Sequence, residues 1–344
     1  MPDASLSYLQ NVPERGQSVE VAPGVRWIRL PLPYRLDHIN VWSIEDGDGW
    51  ALVDTGVYTP ETEAAWDGLM SRPPLNWPLK RVIVTHMHPD HIGMSGLLTR
   101  KFHVGLWISR LEYLSCRATL SEEVHEPTPG AIGFYRAAGW SPAALEVYRQ
   151  RFGEDLVEIH ALPDSFRRLE DSQMLRIGSH DWEVIGGNGH SPEHSSLYCR
   201  DLKLFISGDQ VLPKISSNVS VHPVEPEANP MLDWLQSLDA IEARVSEDVL
   251  VLPAHNDCFR GLHLRIAQLR SGQQKVMTRL LDHLDEPRRV VDAFVPLFKR
   301  AIPESDATLF QLATGEAIAN LNYLISRGEV TKRLEGGVAW YQRT

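Results

Sequence analysis

Cysteine is scarce. Cys116, Cys199 and Cys258 are odd in number and far apart, which excludes a disulfide framework and a cysteine-based zinc site. A basic surplus is missing too: 34 Lys+Arg against 45 Asp+Glu leave a net charge of −11, the wrong sign for a general nucleic-acid coat. No stretch approaches the roughly 18 apolar residues of a membrane span. The start, MPDASLSYLQNVPERGQ, lacks the cationic lead and apolar core of an export signal. There is no internal repeat and no low-complexity linker. What remains is a 344-residue chain, 43% hydrophobic and 23% charged, with ample material for a core. A soluble protein of the reducing cytoplasm is the expectation.

The charge is uneven along the chain. Residues 257–344 hold 13 Lys+Arg and 10 Asp+Glu, leaving 21 against 35 for residues 1–256, a split that predicts two units. Short β-type runs, VEVAPGVRWIRLPL, HINVWSIE and GWALVDTG, fall between Gly, Pro and Asp turn signals over residues 18–56. Helical spacing at about 60–71 and 91–101 alternates with the apolar runs RVIVTH and VGLWIS. A helical stretch over 110–155 has few β-formers. Strand signals resume in MLRIGSHDWEVIGGNG, SSLYCRDLKLFISGD and DVLVLPAH, with a helix in DWLQSLDAIEARV. After Asn256 the pattern is helical until a final GGVAWYQR. The α/β alternation predicts a catalytic domain over 18–256 with a helical insertion at about 110–165, then a mostly helical domain over 257–344.

One turn stands apart. THMHPDHIG sets His86, His88, Asp90 and His91 directly after an apolar β-branched run. Imidazole nitrogen and carboxylate oxygen are the donors that divalent cations such as zinc prefer. With 14 His in the chain, HxHxDH arises by chance in roughly one such sequence in a thousand. Three more polar residues end apolar runs in the same way: His190 after EVIGGNG, Asp209 after LKLFISG and His255 after VLVLPA. The C-terminal ends of strands are where open α/β sheets place their sites.

In order and spacing these motifs resemble those of the metallo-β-lactamase superfamily of hydrolases. Asp54 in LVDTG, the THMHPDH turn, His190 in GHSPEH, Asp209 in SGD and His255 in PAH carry the likeness, which covers roughly residues 20–256. It implies an αββα sandwich with a two-metal site at one edge. Carried over by position, His86, His88 and His190 would hold one metal, Asp90, His91 and His255 the second, and Asp209 would bridge them. Two divalent cations are expected, zinc before iron or manganese. Asp54 either orients a ligand imidazole or caps the DTG turn. A hydroxide shared by the two cations would attack a carbonyl or phosphoryl centre, with Asp90 and Asp209 as the catalytic carboxylates. His88 separates the chain from the di-iron electron-transfer branch. The absence of a cysteine ligand separates it from the Cys-containing β-lactamases. The set is most similar to the glyoxalase II, lactonase and nuclease branches.

Outside the ligand set, His194 is expected to face solvent and Tyr198 to be a strand residue. Phe134, Tyr135 and Trp140 of the insertion, with His222 after the Asp209 strand, are the candidates for a partly apolar substrate pocket. Arg149 and Arg151 could meet the phosphates of a CoA ester. The tail, ATLFQLATGEAIANLNYLISRGEVTKRLEGGVAWYQR, resembles the small winged-helix unit of some superfamily members. Its central helix carries Glu316 and Arg327 as its charges, so packing or homodimer formation is expected and nucleic-acid reading is not. The resulting expectation is a hydrolase of a carboxylic ester, lactone or acyl-CoA-like thioester. The alternatives are an RNA-cleaving phosphodiesterase and a mononuclear-iron sulfur oxygenase; a non-catalytic ligand sensor is opposed by the complete ligand set. Basic glutathione contacts of the glyoxalase II kind are not evident, and Val211 and Leu212 stand where lactonases place an aromatic donor.

Overall fold

Strands covered on both faces need an almost unbroken apolar run, and the runs in this chain build two stacked sheets. The structure is a computed structural model that describes residues 5–121, 126–153 and 158–344. In chain order it has β1 (Ser7–Tyr8), β2 (Gln17–Ala22), β3 (Val25–Pro31), β4 (His38–Glu45), β5 (Trp50–Val53), α1 (Pro60–Met70), β6 (Leu79–Ile83), α2 (Pro89–Ile92), α3 (Ser95–Phe102), β7 (Gly105–Ser109), α4 (Arg110–Ser121), α5 (Pro129–Ala137) and α6 (Pro142–Arg151). There follow β8 (Arg167–Leu169), β9 (Met174–Ile177), β10 (His180–Gly187), β11 (His194–Cys199), β12 (Leu204–Gly208), α7 (Pro230–Arg244), β13 (Leu250–Pro253), β14 (Phe259–Arg260), α8 (Leu262–His283), α9 (Phe294–Phe298), α10 (Ala307–Ser326), β15 (Val330–Glu335) and β16 (Val338–Arg343).

Contacts divide the chain into two compact units. The first, residues 1–122, 155–217 and 237–266, contains both large sheets, ordered β2-β3-β4-β5-β6-β7-β8 and β1-β14-β13-β12-β11-β10-β9. β5 to β8 run parallel, as do β12 and β13, and the other pairings are antiparallel. On β4, Trp42 and Ile44 join a core with Trp182, Leu197 and Ile206 of the second sheet. Its alternate residues Ile39 and Val41 join a separate core with Trp66, Leu98 and Tyr113 of α1, α3 and α4. That two-sided burial makes the strand read as continuous rather than alternating. The unit is the expected mixed α/β sandwich with helices on its outer faces. Cys116, Cys199 and Cys258 are all buried in it.

Helix starts follow from local sequence. Thr59, Thr128 and Ser141 each accept a backbone N–H three residues on and are each followed by Pro at the first helical position. The strands not foreseen are short or lack an apolar face. β1 and β14 have two residues each, β8 has three, and β15 is exposed beyond Val330. β15 and β16 join through Gly336 and Gly337, whose φ values of 59° and 81° suit a two-residue hairpin turn. No described helix is long and apolar enough to cross a membrane.

The division between units differs from the boundary expected at 256/257. Residues 257–266 group with the sheets, because β14 pairs with β1 and β13. The second unit gathers residues 123–154, 218–236 and 267–344, so α5 and α6 of the insertion fold with the C-terminal helices. Inside it, Trp140 Nε1 donates to Thr314 Oγ1 at 2.9 Å and its ring meets Phe310 at 4.9 Å.

Glu316 of α10 lies in this unit, and burial pushes its carboxyl up to about 7 against the pull of Asn218 Nδ2, which donates to it at 3.0 Å. A carboxyl whose folded value exceeds its unfolded one favours the folded state below about 4.5, and that advantage is lost as pH rises through 7. Glu316→Gln is therefore expected to match the wild type at pH 5 and to exceed it by about 2 kcal/mol at pH 8, read from urea unfolding. An equal gap at both pH values would show that the carboxyl does not titrate in this range.

Candidate metal centre

Each polar strand end reaches the same edge of the first unit. Asp54 follows β5, the HxHxDH turn follows β6, His190 follows β10, Asp209 follows β12 and His255 follows β13. Ser195 N–H donates to the Thr85 carbonyl at 2.8 Å and ties the turn on one sheet to the start of β11 on the other. Gly208 takes a φ of +50°, and a Cβ there would lie 2.3 Å from His194 Nε2, so the turn that presents Asp209 requires glycine.

Three groups of donors converge: His86, His88 and His190; His86, His91 and Asp209; and Asp90, His91 and His255. His86 Nε2 lies 3.0 Å from His88 Nδ1 and 3.2 Å from His190 Nε2. Nitrogens bound tetrahedrally to zinc at about 2.0–2.1 Å stand about 3.3–3.4 Å apart, so this spacing fits a shared cation. Asp209 Oδ2 lies 3.4 Å from His190 Nε2 and 3.6 Å from His255 Nε2, between the two flanking groups. Asp90 Oδ2 lies 3.3 Å from His255 Nε2 and 3.8 Å from His91 Nε2. His91 Nε2 and Asp209 Oδ1 are buried and make no hydrogen bond among the described residues, a costly state that a bound cation would relieve. The seven residues therefore fit the two-cation site that the motifs imply.

Electrostatics divide the cluster. Burial, then the neighbouring imidazole of His190, pushes His88 down to about 3; burial and His91 hold His86 well below its ordinary value. Both rings stay neutral with lone pairs available. Burial also opposes charge on His91 and His255, but carboxylates outweigh it. Asp54, Asp90 and Asp209 hold His91 well above its usual value, and Asp209 with Asp90 lifts His255 to about 10.

The ligand rings are themselves held. Asp54 is 1% exposed with a left-handed φ of 63°, and its Oδ2 meets His91 Nδ1 at 2.8 Å. Its Oδ1 accepts the Thr85 N–H at 2.8 Å, so the same carboxylate that meets His91 also ties the start of the THMHPDH turn, and its side-chain bonds among the described residues do not lie within the DTG turn. Thr85 Oγ1 meets His86 Nδ1 at 3.0 Å, and the His38 carbonyl meets His255 Nδ1 at 3.3 Å.

Three features were not foreseen. His194 is fully buried and not solvent-facing: its ring packs 5.0 Å from His86 and its Nε2 accepts the Asp209 N–H at 3.2 Å. The four-residue step from His190 hid this, because a turn intervenes before β11 reverses the chain. Glu112 of α4 is fully buried, and burial pushes its carboxyl up; its oxygens accept the N–H groups of Met87 and Glu193. Asn40 of β4 donates to the carbonyls of Pro253 and Asn256 on either side of His255. Neither residue lies in a motif.

The expected substrate-pocket residues belong to the second unit. Tyr135 and Trp140 are buried there, their rings 4.4 Å apart, and core packing accounts for both. Phe134 is half-buried edge-on to Tyr135, and His222 is exposed. Tyr198 is a buried residue of β11. Arg149 pairs with Glu146 at 3.3 Å within α6.

Comparison with known proteins gives consistent results. A family profile described as the metallo-beta-lactamase superfamily matches residues 34–255, and one described as a metallo-beta-lactamase-like C-terminal domain matches residues 277–344. The chain is 36% identical to a beta-lactamase domain protein from Burkholderia ambifaria, with a TM-score of 0.89 over 98% of both chains. It is 22% identical to the probable metallo-hydrolase YqjP of Bacillus subtilis over 92% of this chain and 96% of that protein. It is 21% identical to the atrochrysone carboxyl ACP thioesterase of Emericella nidulans over 98% of this chain and 91% of that protein.

Proposed function

The chain belongs to the metallo-beta-lactamase superfamily, and on that premise we propose that it hydrolyses a carboxylic ester, lactone or thioester with two divalent cations, zinc foremost. The observation that carries this reading is the position of Asp209, whose carboxylate lies within 3.6 Å of both His190 and His255 and so joins two donor groups. His86, His88 and His190 would hold one cation, Asp90, His91 and His255 the other, and Asp209 both. When bound, such cations lower the pKa of water and polarise a carbonyl oxygen. No separate Ser or Cys nucleophile is needed, and burial raises all three thiols, Cys116 to about 12.

The protein's own groups do the rest. Asp90, facing His91 and His255, accepts a hydrogen bond from the attacking water and orients it. Asp54 keeps His91 Nδ1 engaged, so that ring presents Nε2. The thioester branch draws support from the full-length likeness to an acyl-carrier thioesterase, which makes an acyl chain on CoA or a carrier the first substrate class to try.

Elemental analysis on the purified protein, paired with turnover of an acyl-CoA, a homoserine lactone, S-lactoylglutathione and a phosphodiester, tests this. Two metals per chain with acyl transfer to water is the expected result. Phosphodiester cleavage alone, or one iron per chain with oxygen uptake, would move the protein to the nuclease or oxygenase branch.

A further inference from the structure

We propose that Glu112 is a positioning residue of the metal centre, its one carboxylate holding in register the two loops that present His86, His88 and His190. The inference rests on reading that trio as a metal site. Glu112 stands in the first turn of α4, is fully buried, and forms no ion pair among the described residues. An ionised carboxylate in that position is costly unless convergent donors satisfy it. Two do. Glu112 Oε2 accepts the N–H of Met87 at 2.9 Å, and Met87 lies between His86 and His88. Glu112 Oε1 accepts the N–H of Glu193 at 2.8 Å, three residues after His190.

The two loops come from different sheets, one following β6 and the other running from β10 to β11. The spacing of His86 Nε2 from His190 Nε2, 3.2 Å, is therefore an inter-sheet distance that no single strand sets. The grip is reciprocal: Glu193 Oε2 accepts the N–H of Leu111 at 2.7 Å, next to Glu112 in the chain. Two glutamates thus bracket the start of α4 against the His190 loop. A carboxylate is required because both loop groups are donors. A glutamine of the same shape has one acceptor and turns an NH2 toward the second N–H.

The test is cobalt(II) titration of the metal-freed wild type, Glu112→Gln and Glu193→Ala, with chelator competition, visible spectra and thermal unfolding of each metal-free protein. Glu112→Gln is expected to bind the first equivalent of cobalt 10–100-fold more weakly and to shift its visible bands. Glu193→Ala frees the bracket from its other end and is expected to give a smaller change of the same sign, which keeps the proposal open to test if Glu112→Gln does not fold. Wild-type cobalt affinity and spectrum in Glu112→Gln, with only a lowered unfolding temperature, would make Glu112 a purely structural cap and overturn the proposal. A wild type that binds no cobalt would instead overturn the metal reading beneath it.

Discussion

Asp209→Ala is expected to lower kcat/KM for the hydrolysed substrate by at least about 10³-fold, or about 4 kcal/mol of transition-state stabilisation, and to cut metal content from two per chain to one or none. The size follows from its place. Asp209 lies within 3.6 Å of His190, His91 and His255, so its loss removes a donor from both cation positions at once. It also removes a negative charge that offsets His91 and His255, leaving Asp90 as the carboxylate that faces both rings and Asp54 beside His91. The turn should survive. Its main-chain ties are the Asp209 N–H to His194 and the Asp209 carbonyl to Ser217 Oγ, and neither uses the deleted carboxylate. Loss of turnover with the fold kept after metal removal, its unfolding temperature lowered only by the lost counter-charge to His91 and His255, is thus the expected pattern. Turnover within tenfold of wild type would place the reaction elsewhere.

Legibility in the sequence tracked the length and exposure of the signal. His86, His88, Asp90, His91, His190, Asp209 and His255 could be found because each ends an apolar run of β-formers, where a charged or imidazole group is out of place unless it is used. The α/β alternation followed from the same runs, whereas the two-sheet sandwich was what the resemblance of the motifs implied; β4 and β5, buried on both faces, are the strands that such layers enclose. Groups that act through backbone atoms left no such trace. Glu112 looks like any polar residue in RLEYLS, and Asn40 like a turn-prone residue inside HINVWSIE, because their partners are N–H and C=O groups that every residue carries. His194 was misplaced because a lone histidine at the start of a strand carries no local mark of burial, and its contacts with His86 and Asp209 come from the other sheet and the next strand end. The insertion was read as part of the catalytic domain because it is contiguous with it in sequence, whereas Trp140 meets residues that come 170 and 174 positions later, Phe310 and Thr314. Such pairings over long sequence separation have no periodicity to reveal them.

Asn40→Ala is expected to destabilise the protein by about 3 kcal/mol, equivalent to roughly 6–12 °C for a unit of this size. Asn40 is fully buried on β4, and its Nδ2 donates to Pro253 O at 2.9 Å and to Asn256 O at 2.7 Å. Its own N–H donates to Ala254 O at 2.7 Å. One residue of the first sheet thereby holds both flanks of His255, which the second sheet supplies. Alanine keeps the main-chain bond but strips a donor from two carbonyls, each worth about 1–3 kcal/mol when left unsatisfied. Arg29 Nη2 still reaches Asn256 O at 3.2 Å, which limits the loss on that side. The left-handed φ of 66° at Asn256 needs such restraint, so the loop should relax and carry His255 out of line with Asp90. Cation binding at Asp90, His91 and His255 should weaken along with stability, while the His86, His88 and His190 group is less affected. Asn40→Asp separates donation from volume: it preserves size but turns a carboxylate oxygen toward two carbonyls, and should be at least as damaging as alanine. An aspartate variant more stable than the alanine one would mean that packing at β4, and not donation to the His255 loop, is what Asn40 supplies.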